Sequence, residues 1–376
     1  MSDLVVVSLE AWDAVWRRNQ HLIDGLLGRD PDLRVLFVEP PVDPVHALRR
    51  GRRPERGRGL RLAPPTAGYG KRLWLLGPTK WLPRRADPGC DRRWARGVEQ
   101  AMRRLGMTGA PLWVNDPLGA ELLQRIHVPA LYDVTDDWTV ADREAAELAR
   151  TVRQEQFLLS ACREVVVCSA TLARTKQTPR PMTVVPNGVD LAAYRSEHPR
   201  PASLPTGPVA LYVGTLHRDR LDVDLAVQTA RAVQSHGHVV LAGPIALADA
   251  DADALRRAGA ILLGAQDRSE VPALLQHADV LVVPHVVTAF TESLDPIKLY
   301  EYAAAGRPVI STPVAGFRDD TSGRVTLASG ADFAGTVAAG LVAPRVPSVH
   351  LPEDDRADWA NRVEQVAAVL DRARTP

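Results

Sequence analysis

The chain has 376 residues, of which 45% are hydrophobic and 24% are charged, and this length exceeds one ordinary domain. No apolar run approaches the roughly 18 residues that a membrane span requires. The N-terminal MSDLVVVSLEAWD has neither a basic segment nor a cleavage site, so we expect no secretory signal. Cys90, Cys162 and Cys168 are odd in number and fit no metal-ligand spacing, which favours a reduced cytoplasmic protein.

The net charge of +1 hides a difference between the two halves of the chain. Residues 1–195 contain 30 Lys and Arg against 23 Asp and Glu, whereas residues 196–376 contain 16 against 22. The basic half could contact an anionic acceptor or, as a peripheral protein, the inner face of the membrane. The alternative is an arginine-rich surface of the kind common in proteins from GC-rich genomes. We expect no nucleic acid partner, because no basic-aromatic pattern occurs.

Short apolar strands alternate with amphipathic helices along the first half, and this rhythm predicts a doubly wound parallel α/β sheet. A helical pattern from Trp12 follows the first strand. The predicted strands are LVVVSLE (4–10), RVLFVEPP (34–41), PLWVNDP (111–117), PALYDVTDD (129–137), EVVVCS (164–169) and MTVVPNGVD (182–190).

The proline-rich segment SEHPRPASLPTGP, residues 196–208, interrupts this rhythm and predicts a linker. The rhythm then restarts, which indicates a second doubly wound domain. The second set of strands is VALYVGT (209–215), HVVLAG (238–243), AILLGA (260–265), DVLVVP (279–284) and PVISTPV (308–314). We therefore predict domains at 1–195 and 209–352, followed by a C-terminal helix within 353–376 that could cross back onto the first domain.

One segment breaks the pattern, because RRGRRPERGRGLR (49–61) is rich in arginine and glycine and offers almost nothing to bury. It predicts a mobile or partly disordered surface loop. Closure of this loop over an acceptor is the alternative.

The segment DPIKLYEYAAAGRPVIST (295–312) predicts a ligand site at the carboxyl edge of the second sheet. We expect Asp295 to be the N-cap and Pro296 the first helical residue. The helix N-terminus and Lys298 would then face a phosphate. Glu301, one turn deeper, could accept hydrogen bonds from vicinal ribose hydroxyls. The alternative for Lys298 and Glu301 is a solvated helical ion pair.

A second piece of this site is VALYVGTLHRDR (209–220), a strand that ends at Gly214 and Thr215. Glycine lets the backbone approach a diphosphate closely. Arg218 and Arg220 could then bind its oxygens.

These motifs give the second half a resemblance to the nucleotide-sugar-binding domain of GT-B glycosyltransferases, of the retaining family-four type. The matching segments are VVPNGVD (184–190), YVGT (212–215), DVLVVP (279–284) and DPIKLYEYAAAGRPVIST (295–312). EAWDAVWRRNQHL (10–22), VEPP (38–41) and YDVTDDW (132–138) are similar to a bacterial subgroup that includes teichuronic-acid glycosyltransferases.

The resemblance implies two Rossmann-like domains that face each other across a cleft, with a nucleoside-diphosphate sugar as donor substrate. It implies that Glu301 holds the ribose and that Gly214 lies beside the diphosphate. Transfer would proceed with retention, without a metal ion or other cofactor, to a polysaccharide intermediate or a small secondary-metabolite aglycone.

The sequence departs from the family pattern at two places. Ser293 stands where many members have a first glutamate, so Glu292 or Asp295 would have to replace it. Glu10-Ala-Trp-Asp13 replaces a glycine pair on the acceptor side.

For the first domain we predict that Trp12, Asp13, Arg18 and Asp136 lie on the acceptor side. Trp12 and Trp16 are four residues apart on the expected first helix. We expect one of them to lie in the core and the other to line the acceptor site, and the sequence does not say which. If the enzyme inverted configuration, a general base would come from Asp13, His21, Asp116 or Asp136.

Two other functions remain open from sequence. Nucleotide-sugar 2-epimerases share the architecture, but no acid-base set for the sugar ring is evident. A non-catalytic partner of another glycosyltransferase is also consistent with the missing glutamate and glycine pair.

Overall fold

The structure, a computed structural model, describes residues 3–49, 53–345 and 355–374. It divides into two compact units. The first contains Met1–Thr139, Arg143–Pro186 and Arg362–Pro376, and the second contains Val140–Asp142 and Asn187–Asn361. The division thus falls before the proline-rich segment 196–208, which lies within the second unit.

An eight-stranded sheet forms the centre of the first unit, with the order β3-β4-β2-β1-β5-β6-β7-β8. All neighbours are parallel except β3 and β4. The strands are β1 (Asp3–Val7), β2 (Arg34–Val38), β3 (Gly59–Leu62), β4 (Leu73–Gly77), β5 (Leu112–Val114), β6 (Ala130–Val134), β7 (Glu164–Val167) and β8 (Met182–Val184).

Helices cover the first sheet because its central strands are buried on both faces, as in β1, where Leu4 to Val7 are at most 1% exposed. The helices are α1 (Arg18–Arg29), α2 (Pro44–Arg49), α3 (Cys90–Leu105), α4 (Gly119–Leu123), α5 (Ala145–Ala161) and α6 (Ala170–Thr175), with a 3-10 turn at Pro65–Ala67.

The second unit has a six-stranded, fully parallel sheet with the order β11-β10-β9-β12-β13-β14. Its chain order reverses between β9 and β12, and a ligand crevice forms at such a switch point. The strands are β9 (Val209–Val213), β10 (His238–Ala242), β11 (Ile261–Gly264), β12 (Val280–Val283), β13 (Val309–Ser311) and β14 (Val325–Leu327).

Two apolar clusters, one on each face of this sheet, form the core of the second unit. Its helices are α7 (Leu191–Arg195), α8 (Val223–Ala232), α9 (Asp249–Arg257), α10 (Val271–His277), α11 (Ile297–Ala305) and α12 (Gly330–Val342), with 3-10 turns at Thr291–Ser293 and Asp355–Ala357. The last helix, α13 (Trp359–Arg374), begins in the second unit and continues into the first. In the described part of the chain, no helix combines the length and apolarity of a membrane span.

Two local predictions differ from the structure. Helix α1 begins at Arg18 rather than at Trp12, since the residues before it form bends held by side-chain bonds. The segment 49–61 is not uniformly a loop, because Gly59–Leu62 pairs antiparallel with β4 and Arg61 binds Glu39. Residues 50–52 of this segment lie outside the described residues.

Candidate functional site

The loops after β9 and β12 meet at the switch point of the second sheet. The backbone N–H of Val286 donates to the carbonyl oxygen of Arg220 at 2.9 Å, and Leu221 forms an isolated bridge with His285. Helix α11 presents Lys298 and Glu301 to the same site. The strand order and these contacts thus place the predicted motifs together.

Lys298 is the centre of a small polar network. Its Nζ donates to the Tyr212 hydroxyl at 2.9 Å, lies 3.1 Å from Nε2 of His285 and sits 4.2 Å from the Tyr212 ring centroid. The Tyr212 hydroxyl and His285 Nε2 are also 3.1 Å apart. Tyr212 and His285 therefore fix the position of the ammonium group.

Burial holds the pKa of His285 well below its usual value, and the positive charges of Lys298 and Arg220 act in the same direction. Burial also raises the pKa of Tyr212. Both groups are therefore neutral near pH 7. A neutral imidazole can accept a hydrogen bond at Nε2 from Tyr212 or Lys298. Of these three side chains, only Lys298 can then carry a positive charge near pH 7.

Gly214 brings the backbone directly against this network. A Cβ at this position would lie 3.0 Å from Lys298 Nζ and 3.1 Å from the Tyr212 hydroxyl, and its φ of +149° strains any other residue. Glycine is also required at position 243, after β10, because a Cβ there would lie 2.1 Å from the Gly214 carbonyl oxygen. The two glycines let the ends of β9 and β10 approach each other and Lys298 closely.

Glu301 lies one turn after Lys298 on α11, and among the described residues no hydrogen bond or ion pair within contact distance engages its carboxylate. Burial raises its pKa to about 7, while the attraction of Lys298 opposes that rise. The helix has no side-chain cap at its N-terminus. The carboxyl group of Glu301 and the uncapped N-terminus of α11 therefore both lie within one helical turn of Lys298.

The pKa of Lys298 is itself lowered to about 7, first by burial and then by the positive charge of Arg220, against the attraction of Glu301. Both side chains keep part of their surface accessible, although protein atoms surround the ionised groups. An acid and a base whose pKa values are both displaced towards neutrality are costly to the fold and typical of functional sites.

The two candidate arginines after Gly214 lie in different environments. Arg220 is half-buried, lies 5.7 Å from the Phe290 ring centroid and is close enough to lower the pKa of Lys298. Arg218 is 57% exposed and forms a two-pronged ion pair with Asp251, at 2.6 and 2.7 Å. The structure therefore brings Arg220, and not Arg218, to Lys298. Thr215 follows Gly214 and is partly buried.

The predicted start of α11 needs correction. The helix begins at Ile297, and Pro296 is its N-cap. Asp295 is not the cap, because its carboxylate accepts hydrogen bonds from the Asn187 N–H and from the Tyr300 hydroxyl.

Glu292 and Asp295 are the two possible replacements for the glutamate that many family members have at the position of Ser293. Both carboxylate oxygens of Asp295 are engaged, whereas Glu292 uses one oxygen to bind Arg318 at 2.7 Å. Its other oxygen, Oε1, is buried and has no hydrogen-bond partner among the described residues. Glu292 is thus the better placed of the two to meet a ligand hydroxyl. Ser293 is buried, and its hydroxyl donates to the Phe290 carbonyl oxygen.

In the first unit, Arg18 does not face an acceptor as predicted. Its guanidinium forms a two-pronged ion pair with Asp133, with both distances 3.1 Å and side chains only 4% and 1% exposed. A third bond reaches the Pro186 carbonyl oxygen at 3.2 Å. These bonds hold the guanidinium inside the unit, so the arginine serves the fold.

The other acceptor-side candidates lie along the same sheet edge. Trp12 is partly buried, with its ring centroid 5.1 Å from that of Phe37 and 6.0 Å from those of Trp16 and Tyr69. Asp13 is exposed, and its carboxylate accepts the Val15 N–H at 2.9 Å. The two tryptophans belong to one aromatic cluster. Neither is on α1, so their spacing of four residues does not place them on one face of a helix.

The possible general bases are spread over helix α1 and several loops of the first unit. The ring of His21 lies 5.2 Å from that of Trp16. Asp116 follows β5, and burial raises the pKa of its carboxyl. Asp136 follows β6 and accepts the Thr135 hydroxyl at 3.1 Å. The structure does not group these residues into one acid-base cluster.

The motifs in the sequence do not indicate the roles of Tyr212 and His285. Tyr212 lies near the end of the predicted strand VALYVGT (209–215), and His285 directly follows the predicted strand DVLVVP (279–284), where parallel sheets place ligand residues. That position was the available signal; their burial and contact with Lys298 depend on the pairing of β9 with β12. Across residues 3–49, 53–345 and 355–374, no group of three or more His, Cys, Asp or Glu side chains could hold a metal ion.

Residues 207–369 match the family model for glycosyl transferases group 1. A 220-residue alignment also relates the chain to the Bacillus subtilis (strain 168) protein TuaH, which is named as a teichuronic acid biosynthesis glycosyltransferase. The two are 24% identical, and the alignment covers 54% of this chain and 55% of TuaH. The match thus spans about half the length of that curated relative.

Solved structures resemble the whole chain. Sucrose-phosphate synthase (tll1590) from Thermosynechococcus elongatus has a TM-score of 0.70 at 16% identity, with 99% of each chain covered. Anabaena Alr3699/HepE, in complex with UDP and glucose, has a TM-score of 0.66 at 12% identity, with 99% of this chain and 100% of that chain covered. A trehalose-phosphate synthase from Burkholderia xenovorans has a TM-score of 0.63 at 13% identity over 99% and 100% of the chains.

At these identities the solved structures establish the fold, and the family model covers most of the second unit. The predicted fold and family resemblance are both confirmed. The chain has the GT-B fold of two parallel-sheet α/β units, and its residues 207–369 match the family model for glycosyl transferases group 1.

Proposed function

We propose that this protein is a glycosyltransferase that moves a sugar from a nucleoside-diphosphate sugar to a hydroxyl group of a sugar or small-molecule acceptor. The observation that carries the proposal is the arrangement on α11, where Glu301 has no hydrogen-bond partner among the described residues and Lys298 is fixed by Tyr212 and His285. The relative Alr3699/HepE binds UDP and glucose, which supports a donor of this class.

Each part of the donor has a counterpart in this arrangement. Glu301 would accept hydrogen bonds from the ribose hydroxyls, and Lys298, Arg220 and the N-terminus of α11 would face the diphosphate. Gly214 leaves room for the diphosphate beside Lys298. Glu292, with its buried and unpartnered Oε1, would bind a hydroxyl of the transferred sugar.

The reaction breaks the bond between the anomeric carbon and the diphosphate oxygen and forms a bond from that carbon to the acceptor oxygen. Negative charge develops on the departing diphosphate, and a fixed ammonium beside it stabilises the transition state more than the ground state. With retention, the departing phosphate oxygen would take the acceptor proton from the same face. The chemistry then needs no protein base, which agrees with the dispersed positions of Asp13, His21, Asp116 and Asp136.

The experiment is a transfer assay on the isolated chain. A thermal-shift panel of nucleotides and sugar nucleotides selects the donor, since a ligand that binds the folded state raises the melting temperature. Labelled donor is then incubated with candidate acceptors, and the anomeric configuration of the product is determined by NMR. Nucleotide binding without transfer to any acceptor would favour a non-catalytic partner, and an epimerised donor would favour the epimerase.

The Lys298→Ala variant tests the mechanism within this assay. We expect a fall in turnover of about 100-fold, in the range seen when one preorganised donor is removed from a developing anion. Arg231→Ala, an exposed arginine on the outer part of α8, is the matched loss of one positive charge. Equal rates for Lys298→Ala and the unaltered protein would remove Lys298 from the mechanism.

A further inference from the structure

Two large apolar side chains are exposed next to each other at the carboxyl edge of the first sheet. Trp81 is 51% exposed and Leu82 is 48% exposed, in the loop that follows β4. Leu48, on α2, is 65% exposed, and α2 follows Val42, which exchanges backbone hydrogen bonds with this loop. Adjacent apolar groups of this size on a surface commonly mark an interaction site.

An arginine lies against this apolar pair. The Arg56 guanidinium lies 4.7 Å from the centroid of the Trp81 ring. Arg53 and Arg58 are exposed on the same segment, and neither has an ion pair with a described residue. We call Arg53, Arg56, Arg58, Trp81 and Leu82 the Trp81 patch.

The arginine segment is held in place against the loop. The Gly57 N–H donates to the Thr79 hydroxyl at 2.9 Å, and a Cβ at Gly57 would lie 2.3 Å from the Gly77 and Pro78 carbonyl oxygens. These contacts hold Gly57, between Arg56 and Arg58, against the loop that carries Trp81.

Other cations of this region have acidic partners. Lys80 binds Asp43 at 2.8 Å, and Arg84 binds Asp91 at 3.0 Å. Arg85 forms an ion pair with Glu144. Glu55 is the acidic residue within the arginine segment, so the patch retains an excess of positive charge.

We propose that the Trp81 patch docks this protein on an anionic phospholipid bilayer. Tryptophan and leucine suit the boundary between head groups and acyl chains, and arginines beside them suit lipid phosphates. Each cation near an anionic surface increases the affinity about fivefold. A neutral protein partner would match the apolar pair but not the three cations, so charge complementarity decides for the bilayer.

The patch is connected to the acceptor side of the first unit, and this step rests on the proposed glycosyltransferase function. A Cβ at Gly77 would lie 2.9 Å from Glu39 Oε2 and 3.1 Å from the Arg58 backbone nitrogen. Glu39 in turn binds Arg61 and accepts the Trp12 N–H at 3.2 Å. A docked patch would hold the Trp12 loop near the bilayer, which suits an acceptor sugar that is attached to a membrane lipid.

The test is co-sedimentation of the full chain with vesicles, at low and high salt. We expect binding to vesicles of equal parts phosphatidylcholine and phosphatidylglycerol, weaker binding at high salt and little binding to phosphatidylcholine alone. The triple variant Arg53→Ser, Arg56→Ser, Arg58→Ser should bind roughly 100-fold more weakly. The double variant Trp81→Ser, Leu82→Ser should bind at least about tenfold more weakly.

Two matched controls separate the patch from general charge and apolarity. Arg92→Ser, Arg96→Ser, Arg104→Ser removes three exposed arginines of α3, and Leu327→Ser, Val342→Ser removes two exposed apolar side chains of the second unit. Both should keep vesicle binding. Equal loss in the α3 control, or no binding by the unaltered protein, would overturn the proposal.

A second copy of the chain is the competing occupant. Analytical ultracentrifugation that shows a dimer abolished by Trp81→Ser, Leu82→Ser would assign the patch to that contact and overturn the docking. UDP affinity is measured for every variant, since vesicle binding without nucleotide binding would contradict the proposed function and leave the membrane surface in place.

Discussion

The two sheet edges of this protein use charged residues in opposite ways. In the first unit, Arg18 and Asp133 form a buried ion pair in which the guanidinium also binds a backbone carbonyl oxygen. In the second unit, Lys298 and Glu301 lie one helical turn apart with pKa values of about 7, and the carboxylate has no hydrogen bond to any described residue. Breaking a buried ion pair is costly to a fold, whereas a carboxylate without a partner at a switch point suits a ligand.

The displaced pKa values of Glu301 and Lys298 make the stability of the folded protein depend on pH. The folded pKa of Glu301 is raised, so its contribution to stability is greatest below pH 4.5 and is lost as the pH rises towards 7. The folded pKa of Lys298 is lowered, so its contribution is greatest above pH 10.5 and is lost as the pH falls towards 7. Near neutral pH both residues therefore weaken the apo fold, and a bound diphosphate and ribose would relieve both.

The largest effect is expected in the first unit. Arg18→Met leaves the Asp133 carboxylate buried without its partner, and the loss of one member of a buried pair costs about 3–5 kcal/mol. The free energy of unfolding in urea should fall by that amount, while UDP affinity of the folded variant stays unchanged. Asp133→Leu together with Arg18→Met should recover much of the loss, because no buried charge remains.

Arg17→Met is the neighbouring control, since Arg17 is partly exposed and should have an effect of about 1 kcal/mol or less. If Arg18→Met instead kept its stability and lost transfer activity, the arginine would act on substrate as the sequence first predicted.

The second effect concerns Glu301. Glu301→Gln should weaken UDP binding, because hydrogen bonds to a charged acceptor contribute about 1.5–3 kcal/mol, which is roughly 10- to 150-fold in affinity. Calorimetry with UDP and with 2′-deoxy-UDP completes the test. The unaltered protein should prefer UDP, and the variant should lose most of that preference.

The same variant reports on the cost to the fold. Glutamine does not titrate, so the stability of Glu301→Gln relative to the unaltered apo protein should rise between pH 5 and pH 8. An unchanged preference for UDP over 2′-deoxy-UDP would reject the ribose assignment even if the stability behaved as expected.

The sequence predicted the parts of the second unit that depend on chain order. Strand and helix rhythm placed Gly214, Lys298 and Glu301 at one sheet edge, because consecutive parallel strands share their carboxyl ends. It could not predict that His285 and Tyr212 hold Lys298, since those contacts require β9 to pair with β12. It also could not distinguish Arg218 from Arg220, which differ only in their tertiary partners.

The first unit shows the same limit more strongly. Arg18 and Asp133 are 115 residues apart, and neither the helix nor the strand pattern indicates that they form a pair. The alternation of strands and helices predicts a helix from Trp12, but side-chain bonds to the backbone hold the residues before α1 in bends. The arginine-rich segment looked unburied because a four-residue edge strand, Gly59–Leu62, gives little sequence signal.

The third effect is a pH dependence that belongs to Lys298. Its pKa is about 7 in the apo protein, and a bound diphosphate favours the charged form. The charged groups around it are Arg220, which opposes protonation, and Glu301, which favours it, with neutral Tyr212 and His285 in contact. UDP affinity should therefore fall as the pH rises from 7.5 to 9, by at most about tenfold per pH unit, with proton uptake on binding.

Lys298→Met should bind more weakly at pH 7.5 and lose this slope, and Lys298→Arg should also lose it because arginine stays charged. Calorimetry in two buffers of different ionisation enthalpy measures the proton uptake. A slope that persisted in both variants would place the titrating group elsewhere.

The smallest effect distinguishes two arginines only two positions apart. Arg218→Gln removes an exposed ion pair with Asp251, which is worth about 0–1 kcal/mol, and should leave UDP affinity within about twofold. Arg220→Gln removes a cation close enough to lower the pKa of Lys298, so it should raise that pKa and still weaken UDP binding. Both variants lose one positive charge, and the two positions are only two residues apart in the sequence. Any difference in UDP affinity between them therefore arises from where the two side chains lie in the folded protein. Equal losses of affinity would return Arg218 to the diphosphate site and require Asp251 to release it when the donor binds.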